Sequence, residues 1–294
     1  MSKRRILITG GTGQVGIALL RSHWPEDIEL VAPARQELDL CDCDRIKSYI
    51  AAGSFSAVIN SGAYTAVDRA ESDVLTAWKV NALAPVAIAS ATKDSGIPVI
   101  HISTDYVFNG ANNSPYVEED PVAPLGVYGA SKEAGEQAVR TGNPRHVILR
   151  TAWVFSAHGT NFVKTMLRVA EERSLIKVVN DQQGSPTAAA DIASTLALIS
   201  RRLIDDKQCP VGTYNFVNSG EATWYDFASE MFRLRRSAGY RAPELEPIQT
   251  SEYPTPARRP ANSRLSTEKI RRHFGVEPRE WKLALHQVLT SIAH

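Results

Sequence analysis

Two short clusters in this 294-residue chain bring together residue types that can do chemistry. The first is Tyr128-Gly-Ala-Ser-Lys132. A tyrosine and a lysine four residues apart point to one face of a helix. A phenol with an ordinary pKa of about 10 is a poor acid or base at neutral pH. A neighbouring ammonium favours the phenolate and brings proton transfer into range. Ser103-Thr104-Asp105-Tyr106 precedes the pair, and the Thr104 hydroxyl is expected to bond the same phenol. Alone, Tyr128 and Lys132 would read as a surface pair. Their order after the second cluster gives them weight.

That second cluster is Gly10-Gly-Thr-Gly13-Gln14-Val15-Gly16, directly after the apolar run Ile6-Leu7-Ile8. Glycines at these positions allow a tight turn and a close approach of backbone N–H groups to a pyrophosphate. The helix that follows adds a favourable positive field at its N-terminus. A glycine pattern between strand and helix near the chain start points to a dinucleotide site. Beyond the second expected strand comes Ala32-Pro-Ala-Arg35. An arginine there suits an NADP 2′-phosphate, whereas an acid would suit the NAD ribose. NADPH is therefore the expected cofactor, with NADH also usable. Asp39-Leu40 follows, placed either for an adenine contact or, through Asp39, to cap the next helix.

These residues need a scaffold, and the first half of the chain supplies one. Strand candidates are Ile6–Ile8, Glu29–Ala32, Ala57–Asn60, Val99–Ile102 and Val147–Leu149, with helical segments between them. The clearest helix runs from Thr76 to Asp94. Alternation of this kind implies a mostly parallel sheet covered on both faces. Later helices are expected at Phe162–Glu172, Ala190–Leu203, Tyr225–Arg236 and Trp281–Ile292. Pro, Thr and Arg accumulate over Pro243–Arg264, which reads as an extended linker. The fold expected is α/β, a Rossmann-like doubly wound parallel sheet with a smaller α/β substrate-binding lobe. The dinucleotide-binding part covers residues 1–155, with later segments free to join it, and residues 156–294 form mainly the substrate lobe.

Composition excludes several other classes. With 33 basic and 32 acidic residues the formal charge is +1, which argues against nucleic acid as a partner. Three cysteines cannot make a disulfide framework, and Cys41 with Cys43 lacks the second pair a structural zinc site needs. Free thiols fit a reducing compartment. The basic start of the chain is followed by only three apolar residues, too few for a signal sequence. No stretch reads as the roughly 20 apolar residues that cross a bilayer, so no membrane role is expected. A cytoplasmic protein is the expectation.

With these motifs in place the chain resembles an extended short-chain dehydrogenase/reductase, a family marked by a glycine turn, a Thr or Ser, and YxxxK. Further segments resemble the dTDP-4-dehydrorhamnose reductase family more narrowly. They are Ala63-Tyr-Thr-Ala-Val-Asp-Arg-Ala-Glu71, Ser103-Thr-Asp-Tyr-Val-Phe108, Arg150-Thr-Ala-Trp-Val-Phe155 and Asn161-Phe-Val-Lys-Thr-Met-Leu167. Asp181-Gln-Gln-Gly-Ser-Pro-Thr187 and Arg259-Pro-Ala-Asn-Ser-Arg-Leu265 extend the likeness over nearly the whole chain.

The resemblance implies NAD(P)H-dependent reduction of the C4 ketone of dTDP-4-dehydro-β-L-rhamnose, the last step of dTDP-L-rhamnose biosynthesis. It implies Tyr128 as general acid, Lys132 as the residue that holds the cofactor ribose and tunes Tyr128, and Thr104 as an orienting hydroxyl. Gly13, Gln14 and Val15 then line the pyrophosphate turn, Asp39 and Leu40 lie near the adenine, and Ala63, Tyr64 and Thr65 touch the cofactor after the third strand. For the sugar it implies Thr104, Asp105 and Trp153, with Asn161, Gln183 and Arg259 as further candidates at the dTDP end. Arg258 and Arg259 read equally well as a solvated pair.

Some members of the family form a magnesium-bridged dimer through acidic side chains. The best corresponding positions here are Ala18, Ala190 and Ser291, none of which offers a carboxylate. No bridging magnesium is expected, and the chain is expected to be a monomer or weak homodimer. The segment Asn60-Ser-Gly-Ala63 is more polar than the alanine-rich version expected, with no consequence foreseen for the chemistry. The fold also admits a non-catalytic nucleotide-binding module, as in the regulatory subunit of methionine adenosyltransferase, or a reductase or epimerase of another nucleotide sugar. The complete Thr104, Tyr128 and Lys132 set favours the enzyme.

Overall fold

The computed structural model describes residues 3–292. Six parallel strands form the central sheet in the spatial order Gly212–Asn215, His146–Thr151, Val99–Thr104, Phe55–Asn60, Arg4–Thr9 and Ile28–Val31. The first strand in sequence has the second on one side and the third on the other, so the winding reverses there. Ligands of open α/β sheets bind beyond the carboxyl ends of strands at such a reversal. This is the doubly wound, Rossmann-like sheet expected.

Both faces of the sheet are covered, which explains its continuous apolar runs. Side chains alternate across the first strand. Ile6 and Ile8 pack with Leu19, Ile192, Leu196 and Ile199 on one face. Leu7 packs with Ile46, Ile50, Ala87 and Ile88 on the other. A smaller lobe has its own core of Phe155, Val163, Met166, Phe227, Met231, Trp281 and Leu285. Gly212–Asn215 pairs with His146–Thr151 as the sixth strand of the central sheet, and the helix Ala189–Asp205 packs on the helix Gln14–Arg21.

Three expectations need correction. The helix around Thr76–Asp94 is continuous but irregular: Val74–Trp78, a π-turn over Lys79–Leu83, then Ala84–Lys93. Pro85 has no N–H to donate, so the hydrogen-bond ladder shifts just before it. This twenty-residue run is also long and apolar enough to cross a bilayer by length and composition, contrary to the sequence reading. Half of it is buried in the protein, where Ala84, Ala87 and Ile88 meet the sheet. Finally, Pro243–Arg264 is no linker. Glu244–Ile248 pairs in parallel with Leu175–Val179, and Ser263 N donates to Gln183 O at 2.7 Å.

Candidate active site

The glycine turn sits at the sheet reversal. Gly10 has φ +70°, in the left-handed region that glycine tolerates, and a Cβ there would lie 2.5 Å from Gly62 Cα. Gly16 packs so closely on the Gly10 carbonyl that a side chain would collide with it. The turn and the third-strand loop therefore touch backbone to backbone. The helix beginning at Gln14 opens from this turn with N–H groups that lack partners within the helix.

The turn is the floor of one cleft of about 900 Å³. Gly10, Gly13, Gln14, Val15, Arg35, Asp39, Leu40, Ala63, Tyr64, Thr65, Thr104, Asp105, Tyr128, Lys132 and Trp153 all line it. Residues from distant parts of the sequence thus converge on a single space. A dinucleotide fits this donor set: the turn is a cradle that side chains would fill, and the buried Ser103 Oγ and Thr151 Oγ1 in the same wall have no hydrogen-bond partner among the described residues.

Tyr128 and Lys132 lie on the helix Val127–Gly142, both buried and one turn apart. Burial raises the Tyr128 phenol well above its ordinary value, while the neighbouring Thr104 hydroxyl acts in the opposite direction. Burial lowers Lys132 to about 8 against the pull of Glu136. Its ammonium donates to Ile102 O at 2.6 Å. Thr104 Oγ1 donates to Asp105 Oδ1 at 2.9 Å and accepts from Tyr106 N at 3.2 Å. Burial raises the Asp105 carboxyl to about 6, with the neighbouring Ser263 and Thr104 hydroxyls opposing it. The Tyr106 ring meets Tyr128 edge-on with centroids 5.4 Å apart.

Behind Lys132 runs a buried polar chain that the sequence reading missed. Thr9 Oγ1 donates to Asn60 Oδ1 at 2.5 Å, and Asn60 Nδ2 lies 2.9 Å from His101 Nδ1. The other ring nitrogen, His101 Nε2, lies 3.4 Å from Lys132 Nζ. Burial first, and the lysine charge second, keep His101 well below its ordinary pKa. The polar Asn60 is thus a buried link between the first strand and His101, which packs beside Lys132. Asn81 is a second missed residue. Placed by the π-turn, it exchanges hydrogen bonds with the Tyr64 backbone at 2.8 and 3.0 Å and donates to Ser131 Oγ at 3.0 Å. The third-strand loop and the Tyr128 helix are therefore locked together.

Behind the same helix, Glu136 and Arg150 form a two-pronged ion pair, Nε–Oε1 2.9 Å and Nη2–Oε2 2.7 Å. Their side chains are 0% and 2% exposed. Charges this deep require their partners.

The remaining candidates lie elsewhere. Arg35 is largely exposed at the cleft rim, 3.6 Å from Asp39 Oδ2. Asp39 is not the helix cap: it accepts from Cys41 N at 2.9 Å, which holds its carboxyl below the usual range, and Asp42 caps the helix Cys43–Gly53. Asn161 does not line the cleft. It caps the helix Phe162–Glu172 and donates to Gln14 Oε1 at 3.0 Å, tying that helix to the glycine turn. Gln183 is exposed and outside the cleft, its backbone holding Ala261 and Ser263. Arg259 pairs with Asp68 at 2.6 Å and donates to Tyr106 Oη at 3.2 Å, so it is not a solvated twin of Arg258.

Ser291 Oγ donates to Gln287 O, and Asp191, beside Ala190, is held by Asn218 and Arg279. Among the described residues no group of three or more His, Cys, Asp or Glu side chains is arranged to hold a metal ion. The three cysteines are free thiols.

Comparison with known proteins places this geometry. A dTDP-4-dehydrorhamnose reductase of Sinorhizobium fredii is 42% identical over 98% of this chain and 97% of its own. The crystal structure of a dTDP-4-dehydrorhamnose reductase from Clostridium acetobutylicum superposes with a TM-score of 0.90 at 36% identity, covering 99% of this chain and 100% of that one. The dTDP-4-dehydrorhamnose reductase of Bacillus anthracis, solved in complex with NADP, gives a TM-score of 0.90 at 33% identity over 98% and 99%. A family model described as the RmlD substrate binding domain matches residues 4–294. The chain belongs to the RmlD substrate binding domain family.

Proposed function

We propose that this protein reduces the C4 ketone of dTDP-4-dehydro-β-L-rhamnose to dTDP-β-L-rhamnose with NADPH, NADH also being accepted. The carrying observation is the buried Tyr128–Lys132 pair facing a cleft floored by the glycine turn. Kinship with dTDP-4-dehydrorhamnose reductases supports the substrate, and the NADP held by the Bacillus anthracis relative supports the cofactor. Gly10, Gly13, Gln14 and Val15 would hold the pyrophosphate, Arg35 the 2′-phosphate, Asp39 and Leu40 the adenine side, and Ala63, Tyr64 and Thr65 the middle. Gly16 serves them indirectly, by letting the turn close. The bound nicotinamide supplies a hydride.

This chain's residues do the rest. Tyr128 donates its phenolic proton to the oxygen developing charge at C4 of the sugar. Lys132 holds the ribose and offsets the phenolate left behind. Thr104 orients the phenol, while Asp105 accepts hydrogen bonds from the sugar hydroxyls and Trp153 forms an apolar wall beside them. Residues 156–294 act mainly as the substrate lobe. Arg259 reaches the site through Tyr106 and Asp68, whereas Asn161 supports Gln14. Gln183 supports the segment that carries Arg259. The protein works in the cytoplasm as a monomer or weak homodimer, without a bridging metal ion.

The test is Tyr128→Phe. Loss of the general acid lowers kcat about 10²- to 10⁴-fold, while NADPH binding, followed by fluorescence, stays intact. Near-normal kcat in this variant would refute the assignment.

A further inference from the structure

We propose that Trp224 and Gly184 are positioning residues for Trp153, and that this seat sets how tightly the sugar end of the nucleotide sugar is held. The inference rests on the reading of Trp153 as the wall beside the sugar. Trp153 has φ +48°, one of two non-glycine residues with positive φ among those described. A bulky side chain keeps such a backbone only where its surroundings over-determine it.

Those surroundings are specific. The Trp153 indole lies flat on that of Trp224, with centroids 3.6 Å apart and planes at 10°. Aromatic rings left to themselves prefer offset or edge-on arrangements, so this pair is held by what lies around it. Trp224 Nε1 donates to Gln182 Oε1 at 3.1 Å, and Gln182 Nε2 donates to Thr250 Oγ1 at 3.0 Å. Thr250 Oγ1 in turn donates to Asp181 Oδ1 at 2.6 Å. The Phe162 ring closes on Trp224 at 4.7 Å. Gly184 completes the seat: a Cβ there would fall 2.5 to 2.8 Å from Cε2, Cζ2 and Nε1 of Trp153. The Trp153 carbonyl also accepts from Thr187 N at 3.1 Å. The segment Asp181–Thr187 therefore has a physical task, to hold one ring in one place.

Trp153 lines the cleft, whereas Trp224 and Gly184 do not. Their influence on a ligand must pass through Trp153. One face of its indole is covered by Trp224, and its position is fixed by the smaller lobe, whereas Tyr128 and Lys132 stand on the sheet-bearing part. The share of sugar affinity that Trp153 supplies is thereby set by a different part of the chain from proton donation.

The experiment is calorimetric titration of dTDP-L-rhamnose, and separately of NADPH, into wild type, Trp153→Ala, Trp224→Leu, Trp224→Phe and Gly184→Ala. An aromatic pair of this kind predicts about fivefold weaker dTDP-L-rhamnose binding in Trp224→Leu. Gly184→Ala should weaken it similarly, Trp224→Phe should restore it to within about twofold, and NADPH affinity should not change. The near-UV circular dichroism of the stacked pair should vanish in both Trp153→Ala and Trp224→Leu. If Trp153→Ala binds dTDP-L-rhamnose normally, the wall reading falls and takes the seat with it. If Trp153→Ala binds weakly but Trp224→Leu binds normally, the seat alone is refuted. Equal loss of NADPH and dTDP-L-rhamnose binding in Trp224→Leu would also overturn it, as general damage. Should Gly184→Ala fail to fold, the contrast of Trp224→Leu with Trp224→Phe decides.

Discussion

Replacing Lys132 with methionine should change the pH dependence of stability in a calculable way. The folded protein holds this lysine at about 8 rather than 10.5, chiefly through burial. Below about pH 8 both folded and unfolded chains carry the proton, and the folded state bears the cost of a buried charge. Between about 8 and 10.5 the unfolded chain still binds the proton and the folded one has released it. Unfolding then takes up a proton, so stability rises with pH by about 1.4 kcal/mol per unit. Across the whole interval this amounts to about 3 kcal/mol. Lys132→Met has no such group, although it keeps similar length and every other titrating residue. The stability of wild type minus that of Lys132→Met should therefore climb by about 3 kcal/mol from pH 7.5 to 10.5. Urea unfolding at four or five pH values measures it, with background titrations cancelling in the difference. A difference that stays flat with pH would refute the claim that Lys132 is held buried and depressed.

Other outcomes follow from the same geometry. Glu136→Gln leaves Arg150 as a buried charge without its counterion and should cost about 3–5 kcal/mol, visible as a lowered Tm; a loss under about 1 kcal/mol in denaturant titration would contradict the buried pair. Arg35→Ala should raise KM for NADPH far more than for NADH, because only NADPH carries the 2′-phosphate. An unchanged ratio of the two constants would remove Arg35 from the cofactor site.

Much of this was legible in the sequence where the determinants are local. Gly10, Gly13 and Gly16 are read from spacing, and Tyr128 and Lys132 from a single helical turn. Ile6–Ile8 announces a strand covered on both faces. What escaped depends on pairing across long sequence distances. Gly212–Asn215 is four residues with little apolar pattern, and it becomes a strand only because His146–Thr151 offers an edge. Glu244–Ile248 contains a proline and looked like linker until Leu175–Val179 paired with it. The Asn60–His101–Lys132 chain spans three distant segments, none of which marks its neighbours locally. Asn161 and Arg259 were expected at the dTDP end, and neither lines the cleft. Helix capping and an ion pair with Asp68, rather than cleft contacts, are where the fold places them.

The central claim is that this cleft reduces a dTDP-linked 4-ketosugar with a proton from Tyr128. The most direct test follows NADPH oxidation with freshly prepared dTDP-4-dehydro-L-rhamnose, for wild type beside Tyr128→Phe, with the product identified by NMR. The account predicts turnover to dTDP-L-rhamnose in wild type and near-complete loss in the variant. No turnover by a wild-type protein that still binds NADPH would contradict it, and would turn attention to another nucleotide sugar or to a binding role without catalysis.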